Sequence, residues 1–258
     1  VIYNYCVNAN KEILTIPSLK EILDESKSIT SVRDISVKDL INRDEIQIDY
    51  NKIAEITQDK TILITGGAGS IGSMILKLCL SGKAKKIICI DNSEYNIYKL
   101  LNNINDKRLI SKVSDIRDKK MMNLYFSKYK PDIVFHAAAL KHVNLQEENI
   151  RECLLTNFFG TQNILSLLDK YSVDKFLLIS TDKAVEPSNN MGLSKRMAEL
   201  LVSHYSNSSK TKMSIVRFGN VIGSSGSVLI HFSELIKNRE DITVTHPKVK
   251  RYFMSIEE

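Results

Sequence analysis

The sequence predicts an α/β fold, a doubly wound parallel sheet covered by helices on both faces, and three observations carry that expectation. From Lys60 onward, apolar strand-length runs alternate with amphipathic helix-length runs, the order from which parallel sheets are built. The first strand runs straight into a glycine-rich turn that opens an apolar-periodic helix. At 258 residues and 43% hydrophobic content, the chain is also long enough to bury the core such a sheet requires.

Residues 1–59 read as a leader, a linker or the edge of a preceding domain, with little apolar mass. Pro17-Ser18 precedes LKEILDE and Ser36 precedes VKDLINR, and each serine is placed to cap a helix turn. Residues 60–219 hold the sheet and the catalytic residues. In order come TILIT, the helix IGSMILKLCLSG, KIICID, a helix from about Glu94, LISKVSDI, a helix near Lys119 to Tyr129, and the strand DIVFHAA. A long helix from about Leu145 to Tyr171, the strand KFLLIS, a helix from Gly192 to about Ser206 and the strand KMSIVRF complete the alternation. Residues 220–258 are expected to form a smaller, truncated substrate-binding portion. No internal repeat and no low-complexity segment interrupts the pattern.

The formal net charge is +6, but the lysines are scattered and lack the interleaved aromatics of a single-strand binder, so no nucleic-acid partner is expected. A positive field favours an anionic substrate such as a nucleotide. Cys6, Cys79, Cys89 and Cys153 show no metal-ligand spacing, and neither do His136, His142, His231 and His246. No metal site is expected, and buried, inert thiols fit a reducing compartment such as the cytoplasm. No run of about 18 apolar residues appears, and the start lacks a signal peptide's basic flank and apolar centre. The chain starts at Val1 without methionine and stops at Glu258, just after VKRYFMSI, which points to a parent that extends in both directions.

Thr65 to Gly72 reads TGGAGSIG. The glycines permit a tight turn and a close approach of backbone to a pyrophosphate, and the helix that follows presents amides at its N-terminus. Gly67, Gly69 and Gly72 satisfy one spacing and Gly66, Gly69 and Gly72 another. The loop through Gly66, Gly69, Ser70, Ile71 and Gly72 is therefore the candidate cofactor cradle of a Rossmann-like sheet. Asp91 ends the second strand nineteen positions after Gly72. Either it accepts hydrogen bonds from the adenosine ribose, favouring NAD over NADP because a carboxylate repels a 2′-phosphate, or it caps the Glu94 helix. Asp115, beside Ile116 at the end of the third strand, has the same two readings, with an adenine contact as the functional one.

The stretch LISTDKAVEPSNNMGLSK, Leu178 to Lys195, sets an acid, Asp182, and a base, Lys183, side by side at a strand end. A solvated ion pair is the plain alternative. An acid-base role requires both groups neutral, and burial pushes aspartate and lysine alike in that direction.

Taken together, TGGAGSIG, FHAAALKHV, TNFFGTQN, LISTDKAVEPSNNMGLSK, VRFGNVIGSSGSV and HPKVKRYFMSI resemble the extended short-chain dehydrogenase/reductase family. Within it they are most similar to the UDP-N-acetylglucosamine 4,6-dehydratases of bacterial surface-sugar synthesis, over about Ile35 to Glu258. Met191 stands four residues before Lys195, where the wider family carries a tyrosine. A thioether neither donates nor accepts a catalytic proton, and the large membrane-anchored branch of these enzymes shares the methionine.

The resemblance implies an NAD enzyme acting on a UDP-sugar: hydride leaves C4, the C5 proton and C6 hydroxyl are lost, and hydride returns to C6. Asp182 is then the acid for the departing hydroxyl, Lys183 the base at C5, Lys195 a ligand of the nicotinamide ribose and Thr181 a neighbour of the C4 hydroxyl. Asp182, Thr181 or a bound water takes the C4 hydroxyl proton, and Met191 packs against sugar or nicotinamide. Ala137, Ala138 and Ala139 line the cofactor path. Lys141 reaches a phosphate or faces water. Asn220 and Arg251 contact the substrate, with a plain surface arginine as the alternative at 251. A homo-oligomer is expected, as is a parent anchored on the cytoplasmic face of the bacterial inner membrane. The rival readings are a 4-epimerase or reductase on the same fold and an NAD-binding regulatory protein without catalysis.

Overall fold

A strand that is apolar at every position has to be buried on both faces. In β1, Thr61–Thr65, Ile62 and Ile64 pack into one apolar cluster while Leu63 packs into another, the two-residue alternation of a pleated strand. The next strand, β2 (Lys86–Asp91), repeats the division, with Ile87 and Cys89 on one side and Ile88 and Ile90 on the other. These observations come from a computed structural model, which describes residues 14–15, 33–34, 48–224, 228–244, 248 and 250–256.

The chain divides into two compact units, Val1–Ile46 and Gln47–Glu258. In the first, Leu14–Thr15 pairs antiparallel with Arg33–Asp34; the helix turns expected at LKEILDE and VKDLINR lie outside the described residues. The second unit includes α1 (Tyr50–Thr57), whose cap Asp49 accepts hydrogen bonds from the amides of Asn51 and Lys52 at 3.1 Å. This helix lies inside the stretch 1–59 that reads as a leader. Its Thr57 is buried, with the hydroxyl lying so close to Gly82 that a side chain there would strike it.

Four more strands join β1 and β2: β3 (Leu109–Val113), β4 (Ile133–His136), β5 (Lys175–Ile179) and β6 (Lys212–Val216). All six are parallel, in the spatial order β3-β2-β1-β4-β5-β6. The expected doubly wound sheet is what forms. The chain walks outward from β1 to β3, then returns to lay β4 on β1's other side, and a crevice opens at that reversal, beyond the carboxyl ends of the strands.

The helices are α2 (Ser70–Ser81), α3 (Glu94–Asn103) and α4 (Lys119–Tyr129), then α5 (Val143–Glu148), α6 (Ile150–Leu154), α7 (Thr161–Leu168) and α8 (Asn190–Ser206). The single helix expected from Leu145 to Tyr171 is thus broken. Asn149 leaves helical geometry with φ −125° and ψ 44°, and Leu155–Gly160 winds as a π-helix between α6 and α7. Two tertiary contacts account for the wider turn. It brings Asn157 onto the backbone of Leu140, and it sets Gly160, which has no side chain, against Ile116. Beyond the sheet, β7 (Asn220–Val221) pairs in parallel with β8 (Phe253–Met254), and α9 (Val228–Asn238) lies between them in sequence. Cys79, Cys89 and Cys153 are buried free thiols, and burial pushes the first two up to about 12.

Candidate functional site

At Gly66 the backbone takes φ +64°, a region open to glycine at no cost, and a Cβ there would stand 2.6 Å from the Ala138 amide nitrogen. A Cβ on Gly72 would strike the Gly66 carbonyl. The loop therefore closes on itself and on the start of the Ala137–Ala139 run, with Ala137 N donating to Thr65 O at 3.0 Å. Gly69 caps α2 without a side-chain hydrogen bond, so Ser70 and Ile71 open that helix with their backbone directed at the crevice.

Asp91 is buried at the end of β2 and holds the loop in place, its two oxygens accepting from Ala68 N (3.1 Å) and Ser93 N (2.9 Å). A carboxylate has about four acceptor positions; these bonds take two, so the turn role leaves lone pairs to spare. Asp115 is more committed. Arg117 donates to it from backbone N (2.8 Å) and Nε (2.7 Å), and also reaches Glu152. Burial works to raise the Asp115 carboxyl, but the Arg117 bonds hold it below the ordinary range. Ile116 is buried beside it. A backbone cradle empty of side chains beside a carboxylate with spare lone pairs fits a dinucleotide's pyrophosphate and ribose.

Beneath the crevice runs a buried polar chain that sequence reasoning missed. His136 is 1% exposed, with Nδ1 2.6 Å from the Thr65 hydroxyl and Nε2 2.9 Å from that of Thr161. Thr161 Oγ1 donates its own proton to Asn157 O at 2.7 Å. It must therefore accept from His136, which assigns the proton to Nε2 and leaves Nδ1 to accept from Thr65. Burial, followed by the nearby Lys195 charge, pushes His136 down to about 3, so the ring is neutral. Asn157 extends the chain, accepting from Leu140 N (2.8 Å) and donating to Leu140 O (3.0 Å) and Ser194 Oγ (2.9 Å). It fixes the turn ahead of Lys141, which is exposed, although the atoms around its ammonium lower it by burial.

On α8, Lys195 is 5% exposed and donates from Nζ to Ile179 O at 2.6 Å. Burial brings it down to about 8, against the opposing charge of Glu199. Glu199, another missed residue, is buried one turn further on. It accepts from Ser180 Oγ (2.6 Å), from Arg217 Nε (2.7 Å) and from Arg196 (3.1 Å). Burial acts to raise its carboxyl, yet these donors hold it at about 2. The signal was present as a charged residue in the apolar run MAELLV.

At the end of β5 the backbone turns in a short 3₁₀ helix, Asp182–Ala184, with Thr181 as its cap. Asp182 Oδ1 accepts from Thr181 Oγ1 at 3.0 Å and from Lys183 Nζ at 2.9 Å. Among the described residues, Oδ2 has no hydrogen bond. Lys183 Nζ also donates to Asn220 Oδ1 at 3.2 Å. Both pair members are partly open, with side-chain exposures of 27% for Lys183 and 34% for Asp182. Gly192 seats α8 on this turn, since a Cβ there would strike the Lys183 carbonyl. Met191 is buried at 4% exposure. Arg251 is exposed and bonds the Lys250 carbonyl at 3.0 Å. Strand β8 lies against Asn220, but the Arg251 side chain is not drawn into the Asp182 cluster. A separate groove of about 670 Å³, walled by Asp169, Lys175, Lys210 and Lys212, opens at the opposite ends of β5 and β6. It shares no residue with these strand-end groups. Among the described residues no group of side chains is arranged to hold a metal ion, and no helix is long and apolar enough to cross a membrane.

Residues 62–258 match the family described as "Polysaccharide biosynthesis protein". The chain belongs to this family. Members of the polysaccharide biosynthesis protein family that resemble it include the "Probable polysaccharide biosynthesis protein EpsC" of Bacillus subtilis, 39% identical over all of this chain and 44% of that protein. The "UDP-N-acetylglucosamine 4,6-dehydratase (inverting)" of Campylobacter jejuni is 34% identical over 77% of this chain and 60% of its own length. Proteins named UDP-glucose 4-epimerase in Rickettsia match to a similar degree, at 36%. Among solved structures, Pen from Bacillus thuringiensis superposes with a TM-score of 0.73 at 39% identity, over 78% of this chain and 62% of that one. The chain thus spans less than two thirds of each of these relatives. The expected family and fold are borne out.

Proposed function

We propose that the chain carries the active site of an NAD-dependent UDP-sugar 4,6-dehydratase, turning UDP-N-acetylglucosamine into its 4-keto-6-deoxy derivative. One observation carries the reading. Asp182 Oδ1 is occupied by Thr181 and Lys183, which leaves Oδ2 for a substrate, and Lys183 stands 2.9 Å away as the partner base. A buried methionine replaces the tyrosine on which simple alcohol oxidation and epimerisation depend in the wider family. Gly66, Gly69 and Asp91, with the helix start at Ser70, would hold NAD, and Lys195 its nicotinamide ribose.

NAD, when bound, accepts hydride from sugar C4 and returns it to C6. Asp182 takes the C4 hydroxyl proton, and this converts the carboxylate into the acid that the next step needs. The 4-keto group acidifies C5. Lys183, as the free amine, takes the C5 proton while Asp182 gives its own proton to the departing C6 hydroxyl. Lys183, now an ammonium, returns a proton to C5. The two side chains finish as carboxylate and amine, so the cycle closes without a third acid, and no phenol is required at position 191.

Lys183 has to enter this cycle uncharged. From the resemblance come two companion proposals, a homo-oligomer and a parent anchored at the cytoplasmic face of the membrane. Exposed Leu145, Ile150, Leu193 and Leu200 on α5, α6 and α8 offer apolar surface for a second copy. The deciding experiment incubates the protein with NAD and UDP-N-acetylglucosamine and follows the sugar by NMR. A 4-keto-6-deoxy product is expected; a C4 epimer, or net accumulation of NADH, would overturn the proposal.

A further inference from the structure

We propose that Asn220 is the positioning residue of Lys183, aiming its nitrogen at the substrate. The inference rests on the dehydratase reading and deepens it. Lys183 Nζ has two fixed acceptors, Asp182 Oδ1 at 2.9 Å and Asn220 Oδ1 at 3.2 Å. A lysine amine has two N–H bonds and one lone pair, at tetrahedral angles. When both N–H bonds are held by these acceptors, the lone pair has one direction left, and the base is aimed rather than free to rotate. A single acceptor would leave it turning about one bond.

Asn220 is itself braced. Its backbone nitrogen donates to Tyr252 O at 2.8 Å, its strand pairs with Phe253–Met254, and Gly219 lies so close to Tyr252 O that a Cβ would come within 2.6 Å. Asp182 N in turn donates to Phe218 O at 3.0 Å. The turn carrying Asp182 and Lys183 is thereby tied to the strand segment carrying Asn220 from both backbone and side chain. An amide suits this task because it accepts a hydrogen bond without adding charge, whereas a carboxylate would favour the ammonium form of the lysine. Among the described residues the charged group in contact with Lys183 is Asp182; α8, packed on the turn, presents Gly192 to it, and β7 presents Asn220.

The test compares Asn220→Ala and Asn220→Asp with wild type in the full chain loaded with NAD. For Asn220→Ala, kcat should fall about tenfold or more while UDP binding by calorimetry stays within about twofold. For Asn220→Asp, the alkaline-rising limb of kcat should move to higher pH, with activity recovering there, because the second carboxylate holds the proton on Lys183. A loss of UDP affinity with unchanged kcat in Asn220→Ala would make Asn220 a substrate ligand and overturn the proposal. So would an unmoved pH limb in Asn220→Asp. NMR titration of the lysine side chains, with Lys183 assigned by mutation, reads the same contact without turnover. An upward shift for Lys183 in Asn220→Asp supports the contact even where wild type forms no keto sugar, a result that would sink the dehydratase reading alone.

Discussion

Two lysines twelve positions apart, Lys183 and Lys195, sit in contrasting environments, and under the proposed function the first reacts while the second holds. Lys195 is buried, its ammonium bound to a backbone carbonyl and set near a buried carboxylate that is saturated by Arg217, Arg196 and Ser180. Lys183 has side-chain acceptors, partial exposure and a neighbouring acid whose second oxygen carries no hydrogen bond among the described residues. Burial of Lys195 costs enough to bring its ammonium down to about 8, and the Glu199 charge works against that loss. The lesson concerns access. On the proposed reading, a buried lysine nitrogen held by a backbone carbonyl serves as an anchor, and one bounded on two sides with a third left open serves as a base.

The largest effect that can break this comparison is on turnover. Lys183→Ala and Asp182→Asn should each lower kcat about a thousandfold while leaving NAD binding, read by fluorescence, within about twofold; unchanged rates in both would remove the reactive half of the contrast. Next comes acid stability on the buried side. The folded state holds His136 at about 3 and Glu199 at about 2, each below its ordinary value. Their contributions are complete above about 6.5 and 4.5 respectively, and are lost as pH falls toward 3 and 2. Unfolding free energies from denaturant titration should therefore drop from pH 6.5 downward by a few kcal/mol, with a shallower drop in His136→Asn.

A smaller effect is expected from Glu199→Gln, which keeps the shape but removes the charge facing Arg217 and Arg196. Stability should fall by about 2 kcal/mol, and the Lys195 titration should move further down, while Lys183 stays where it was. Movement of both lysines would merge the two environments and end the distinction. The smallest concerns Met191, which is 4% exposed. Tyrosine is larger than methionine and position 191 is buried, so Met191→Tyr is expected to cost about 1–2 kcal/mol of stability and to weaken sugar binding in a direct titration. Retention of both would show a pocket with room for a phenol.

The parts of the site that sequence made visible are those in which backbone needs dictate residue type. TGGAGSIG is legible because at Gly66, with φ +64°, a Cβ would come within 2.6 Å of the Ala138 nitrogen, so that position of the loop leaves no place for a side chain. Asp182 and Lys183 are legible because they adjoin in sequence at a strand end. Asn157, Glu199 and Thr161 were not, since their partners lie 17, 18 and 25 positions away, on Leu140, Arg217 and His136. The helix expected through residue 171 failed for the same reason. Its apolar periodicity is real, and the π-helical turn within it answers contacts with Leu140 and Ile116 that periodicity does not encode.

By itself the sequence determined the parallel sheet, the glycine-rich loop, the aspartate beside the lysine at a strand end and the methionine at 191, because each is local in the chain or follows from burial on both strand faces. The tertiary structure alone decided which oxygen of Asp182 stays open, which proton His136 carries, and that Asn220 stands 3.2 Å from Lys183. Those facts depend on strand ends and helices that meet only when the sheet closes. Hydrogen-bond direction is set by what stands opposite, and in this chain what stands opposite is most often distant in sequence.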